Sequence, residues 1–171
     1  MPAAWFTEQL ENRNYLLPTG FQLELELFRG VDFFCQAANL PEIQMPVTEV
    51  PTRFRTYPVV PGGGVTFGDL SVQFIIDEDM INYKSIHQWI IDNGNAENMT
   101  TTDEYPRYSG GRLFILTSNF NTNHIIDFEN LFPYSLTPIR FDGSSQSQEY
   151  FIAEASFKFT RYTIRDKNFK E

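Results

Sequence analysis

Phe21-Gln22-Leu23-Glu24-Leu25-Glu26-Leu27 alternates apolar and polar residues without a break. A period of two marks a half-buried β-strand, because successive side chains leave opposite faces of an extended chain. Phe21, Leu23, Leu25 and Leu27 then face a core, while Gln22, Glu24 and Glu26 face away from it. The same period returns near the other end, where 149–165 reads as one long closing strand. Its odd positions Phe151, Ala153, Ala155, Phe157 and Phe159 are apolar, and its even positions are mostly polar. After Thr160 the odd side carries Arg161 and the even side carries Tyr162 and Ile164, a switch that a bulge or a change of sheet would produce.

Between these ends the chain reads as further strands and a single helix. Arg29-Gly30 turns it into a strand over 31–37, and 69–76 is another. Over 80–93, Tyr83, Ile86, Trp89 and Ile90 recur at helical spacing, which makes Ile86, Trp89 and Ile90 the expected anchors of a helix on the sheet. Gly94 suits the position just past its end, and Asp77-Glu78-Asp79 place negative charge where a helix N-terminus favours it. Strands follow over 112–117, 124–132 and 134–141, with a hairpin loop over 142–148. The expected fold is therefore mainly β: a small sandwich or barrel of about seven or eight strands with one flanking helix. One domain over 21–165 lies between an N-terminal arm, 1–20, and a short tail, 166–171.

One stretch does not fit a compact sheet. Pro41, Pro46, Pro51, Pro58 and Pro61 punctuate it before Gly62-Gly63-Gly64, and Thr52 to Tyr57 alternates briefly between them. Proline cannot donate to a ladder, so 44–63 is an edge strand or an extended arm. It is too long for an idle loop. The expectation is that another part of the chain or another subunit packs against it, with Arg53, Phe54, Arg55 and Tyr57 making the contact.

Composition excludes several functions. The net charge is −9, and residues 1–104 hold 5 Lys or Arg against 15 Asp or Glu. Clustered cations that would grip a nucleic acid are absent; the basic residues are scattered, with Arg53/Arg55 and Arg161/Arg165 as arginine pairs. No run approaches the ~18 apolar residues of a membrane helix, and the start lacks the pattern of a signal peptide. The single cysteine, Cys35, has no partner for an intrachain disulfide and sits in an apolar run as a small buried hydrophobe would. Neither His87 nor His124 has metal ligands at zinc spacing, and no nucleophile or phosphate-loop motif is present. No enzyme, metal or cofactor is expected. A monomeric sandwich that binds a ligand on exposed aromatics is the alternative from another class.

The order of several short motifs adds a resemblance. Phe21-Gln22-Leu23-Glu24 after Pro18-Thr19-Gly20, Phe34-Cys35-Gln36-Ala37-Ala38-Asn39-Leu40-Pro41, and Val65-Thr66-Phe67 before Leu70-Ser71-Val72-Gln73-Phe74 occur in that sequence. Asn130-Leu131-Phe132-Pro133-Tyr134 and the final Phe157-to-Tyr162 stretch complete the series. Over roughly 18–164 this resembles the tail tube proteins of contractile-tailed bacteriophages. The resemblance implies a virion protein assembled in the host cytoplasm, with hexameric rings stacked into a tube through which DNA passes. It implies sheath, neck or baseplate subunits as neighbours, and it extends to rings that start or terminate the tube. Glu24 and Glu26 would then face the channel, where like charge keeps DNA from binding the wall.

Overall fold

A computed structural model describes residues 14–27, 34–60, 62–94, 106–143 and 150–166. In chain order the elements are β1 (Phe21–Leu25), β2 (Cys35–Ala38), β3 (Ile43–Gln44), β4 (Thr48–Pro51), β5 (Thr56–Val59), β6 (Thr66–Phe67) and β7 (Leu70–Ile75). After them come α1 (Ile81–Gly94), β8 (Ser109–Leu116), β9 (Thr122–Leu136), β10 (Ile152–Lys158) and β11 (Arg161–Asp166). Seven strands form the main sheet in the order β1-β8-β9-β10-β7-β2, with β11 also on β9, and every pairing is antiparallel. The other four make two small ladders, β3 with β6 and β4 with β5.

The main sheet folds over on itself at β9. Its first part pairs with β8 and β11, while its last part pairs with β10. We call β1-β8-β9-β11 the first layer and β9-β10-β7-β2 the second. Leu23, Leu25, Leu113, Ile126 and Phe128 from the first layer meet Leu70, Val72, Phe74, Ala155 and Phe157 from the second in one buried cluster. This is the apolar side of each alternating strand, as the period of two requires.

The structure redraws several expected boundaries. The strands expected over 124–132 and 134–141 are one strand, which ends at Leu136. Pro133 is tolerated inside it because it faces Phe157 where the β9–β10 register shifts, so no regular ladder bond is forfeited there. The closing strand over 149–165 is instead two strands, β10 and β11, separated at Phe159–Thr160 and paired with different parts of β9. Phe151 does not join the core face; it is 42% exposed and stacks edge-on with Phe141, their rings 5.2 Å apart. Of Thr52 to Tyr57 only Thr56 and Tyr57 are strand, at the start of β5. The first four residues form the turn of a β4–β5 hairpin, because the Thr52 N–H donates to Arg55 O at 3.1 Å and the Arg55 N–H to Thr52 Oγ1 at 3.4 Å. Residues 1–13 of the expected arm, 31–33 of the second strand, most of the loop over 142–148 and 167–171 of the tail lie outside the described residues.

The helix starts where its acids put it. Asp77 accepts hydrogen bonds from the Ile81 and Asn82 main-chain N–H groups at 3.1 and 3.2 Å, satisfying two donors that a first turn leaves unpaired. Ile86 and Trp89 are buried in the core cluster, and Ile90 is half-buried against it. Tyr83 Oη donates to Thr137 O at 3.1 Å, which fastens the helix to the end of β9.

Candidate assembly surfaces

Residues 43–67 leave the main sheet and come back as a two-tier hairpin. The β3–β6 ladder closes its base, β4 and β5 form its length, and Thr52–Arg55 its tip. Gly62 and Gly64 have φ of 63° and 90°, a backbone state that glycine alone enters freely, and so let the chain return after Val60. Every residue of β3, β4 and β5 is exposed. Nine large apolar side chains are uncovered along it, from Ile43, Met45, Val47 and Val50 to Val65. Phe54 at the tip is 92% exposed and Val60 is 73% exposed.

The four residues expected to make contacts sit together at this tip. The Arg55 guanidinium lies 4.5 Å from the Tyr57 ring centroid and bonds to the Tyr57 hydroxyl, while Arg53 lies 5.9 Å from that of Phe54. Cation and ring hold each other in place there. An exposed apolar run of this length is uncommon on a free monomer.

A second surface is the side of the first layer that faces away from the core. Glu24 and Glu26 lie on it, as their alternation requires, and both are exposed. They do not stand alone. Arg112 of β8 lies opposite Glu24, with its guanidinium 3.9 Å from Glu24 and 4.0 Å from Glu26. Its shorter bond, 3.1 Å, goes to Asp127 of β9, which Arg165 of β11 also reaches at 3.2 Å. Further along, Arg161 grips Glu129 with two bonds of 2.8 and 2.9 Å. That fork holds the Glu129 carboxyl below its ordinary pKa and raises the guanidinium's. The face is thus a ladder of alternating charge with Glu24, Glu26, Asp127 and Glu129 against Arg112, Arg161 and Arg165.

Sequence reasoning found the two glutamates and missed the guanidinium between them. Arg112 opens an expected strand, and only the β1–β8 register reveals its partners. It also missed a cluster on the outside of the second layer. There Asp69 accepts from Tyr134 Oη at 2.5 Å and pairs with Lys158, whose Nζ lies 5.5 Å from the Tyr134 ring centroid. The Lys158 and Tyr134 bonds lower the Asp69 pKa, while Asp69 raises those of Lys158 and Tyr134. Three residues far apart in sequence make this cluster, so no spacing announces it.

Elsewhere the polar groups serve the fold. His87 is exposed on the helix, and His124 Nδ1 lies 2.9 Å from Asp166 Oδ1 across the β9–β11 pair. Cys35 is half-buried at the edge of the core. Among the described residues no three His, Cys, Asp or Glu side chains gather as metal ligands, and no helix is long and apolar enough to cross a membrane.

Comparison with known proteins explains the architecture. The tube-terminating cap of the anti-feeding prophage superposes with a TM-score of 0.66 at 15% identity, over 96% of this chain and 99% of that one. A chain of the sheath–tube complex of the PVC extracellular contractile injection system, in its extended state, gives 0.62 at 12% identity, over 90% and 93%. Its sheath/tube terminator gives 0.60 at 14%, over 90% and 99%. At such identities the likeness is one of fold. Curated protein sequences contain no match. A family profile described as phage tail tube protein matches residues 9–165, so nearly the whole chain is accounted for, and the protein belongs to the phage tail tube protein family, whose members are structural and not enzymes.

Proposed function

We propose that this chain forms a hexameric ring of a phage tail, that rings stack into a tube, and that the bore conducts DNA during ejection. The observation that carries this reading is the uncovered arm. Its apolar length serves no purpose inside one subunit, and burying it against a neighbour removes that surface from water at roughly 25 cal/mol per Å2. Arg53, Phe54, Arg55 and Tyr57 at its tip make the contact to the next subunit or ring. Sheath subunits and neck or baseplate rings are the other neighbours, and assembly takes place in the host cytoplasm.

Glu24 and Glu26 face the bore in this arrangement. Arg112, Arg161 and Arg165 share that face with four carboxylates, so the lining keeps only a small acidic excess per copy. Such a wall offers DNA no run of cations to displace its counterions, which suits non-specific transit.

Light scattering and electron microscopy of the purified chain test the reading. Deleting 52–57 removes the hairpin tip and the first two residues of β5, so the shortened protein should keep its main sheet and form rings that fail to stack. Tubes of normal length from the deletion variant would remove the arm from assembly. A strict monomer at high concentration would remove the ring. Counting copies per particle then separates a repeating tube ring from one that starts or terminates the tube.

A further inference from the structure

Among the described residues the first layer has two open edges, β1 and β11, each paired on one side only. They run antiparallel to each other, since β1, β8, β9 and β11 alternate in direction. Rotation about an axis along the strands therefore brings β11 of one copy beside β1 of the next in ordinary antiparallel order. The two edges carry opposite charge on the same face. β1 presents Glu24 and its neighbour Glu26, and β11 presents Arg161 and Arg165 around Thr163. The cross-strand rows prove the shared face: Glu24 lies level with Arg112, Asp127 and Thr163, and Gln22 level with Phe114, Ile125 and Arg165.

We propose that these four side chains form a charged seam between neighbouring copies, which strengthens the joint and makes ring closure sensitive to ionic strength. The proposal rests on the ring reading above and adds to it the chemistry of the joint. With the rows continued straight across, Arg161 meets Glu26. A slip of two residues brings Arg165 or Arg161 against Glu24, so the straight register and its two nearest in-step neighbours all pair opposite charges. A slip of one would turn the charged side chains toward the apolar side and is excluded on that ground. Two features leave the joint open to a partner. Glu24 and Glu26 share one guanidinium at 3.9 and 4.0 Å, whose closer bond is to Asp127, so both carboxylates have room for a cation. On the core side of β11, Ile164 is 57% exposed at the same edge, where an abutting strand would cover it.

The test is a charge exchange. Variant one carries Glu24→Lys with Glu26→Lys, and variant two carries Arg161→Glu with Arg165→Glu. Each alone sets like charges across the seam, so half-assembly into rings should need at least about tenfold more protein than the wild type. Mixed in equal amounts they offer opposite charges at every joint, and rings of wild-type mass should return. Wild-type rings should also loosen as sodium chloride rises from about 0.05 to about 0.5 M, a range over which screening shortens to a few ångströms. Either variant closing rings as readily as the wild type overturns the seam, as does a mixture of two folded variants that stays unassembled. Should variant two fail to fold, because Arg161 holds Glu129, variant one and the salt titration decide alone; rings indifferent to both overturn the proposal. Rings in the wild type with no such effects leave the ring reading standing and remove only the seam, whereas a wild-type chain that never forms rings removes both.

Discussion

Replacing Trp89 with alanine removes a side chain that is 1% exposed and whose indole N–H donates to Pro106 O at 2.8 Å. The void lies between α1 and the sheet and cannot collapse without moving Ile86, so the loss should be about 3–5 kcal/mol by denaturant unfolding. An unchanged midpoint would mean that the helix adds little to the core. Asp69 makes a prediction about acid. Its pKa is lowered by Lys158 first and Tyr134 second, so its contribution is present above the ordinary carboxylate range and fades as pH falls through the lowered value. Asp69→Asn should therefore melt lower than the wild type near neutral pH and converge with it as the pH falls below the ordinary carboxylate range. Parallel melting curves across that range would show that the cluster does not couple to stability. The helix anchors could be read from spacing, because a period of 3.6 is local. The Asp69 cluster could not, because its three members come from the residue before β7, from β9 and from β10.

Strands were legible by alternation and their junctions were not. The period of two placed the core faces of β1 and β10 correctly, and the phase change after Thr160 marked where β10 gives way to β11. What alternation cannot announce is a strand that passes from one layer to the other, since its side chains keep alternating through the bend. Asn130 makes that bend in β9. Its φ is 55°, in the left-handed region, and its side-chain amide donates to Thr160 Oγ1 at 3.1 Å, pinning the two crossing points together. Asparagine enters this region more readily than most residues, and a β-branched side chain does so at a cost of roughly 1–2 kcal/mol. Asn130→Val should lose at least that much stability, while Asn130→Gly should lose less, only the amide bond. Equal losses in thermal unfolding would show that the hydrogen bond, and not the backbone, sets the bend.

At the level of the whole molecule, the arm was legible because proline and glycine punctuate it, though its hairpin form was not: Thr52 closes the tip through local bonds that no alternation reveals. The mixed-sign face was hidden for a related reason, as it depends on which strands lie side by side. Topology supplies that, and a single chain read in order does not. The passage of β9 through both layers has a mechanical consequence as well. Its fifteen residues, about 50 Å of chain along the contour, run through the bend at Asn130 as one covalent strand shared by both layers. If the first layer is the wall of a conduit and the second its outer coat, an axial thrust on the coat reaches the wall along a covalent backbone, and the two layers cannot shear apart without that strand being torn from its ladders. A splint of this kind makes each subunit stiff in the direction in which a driven tube must not buckle.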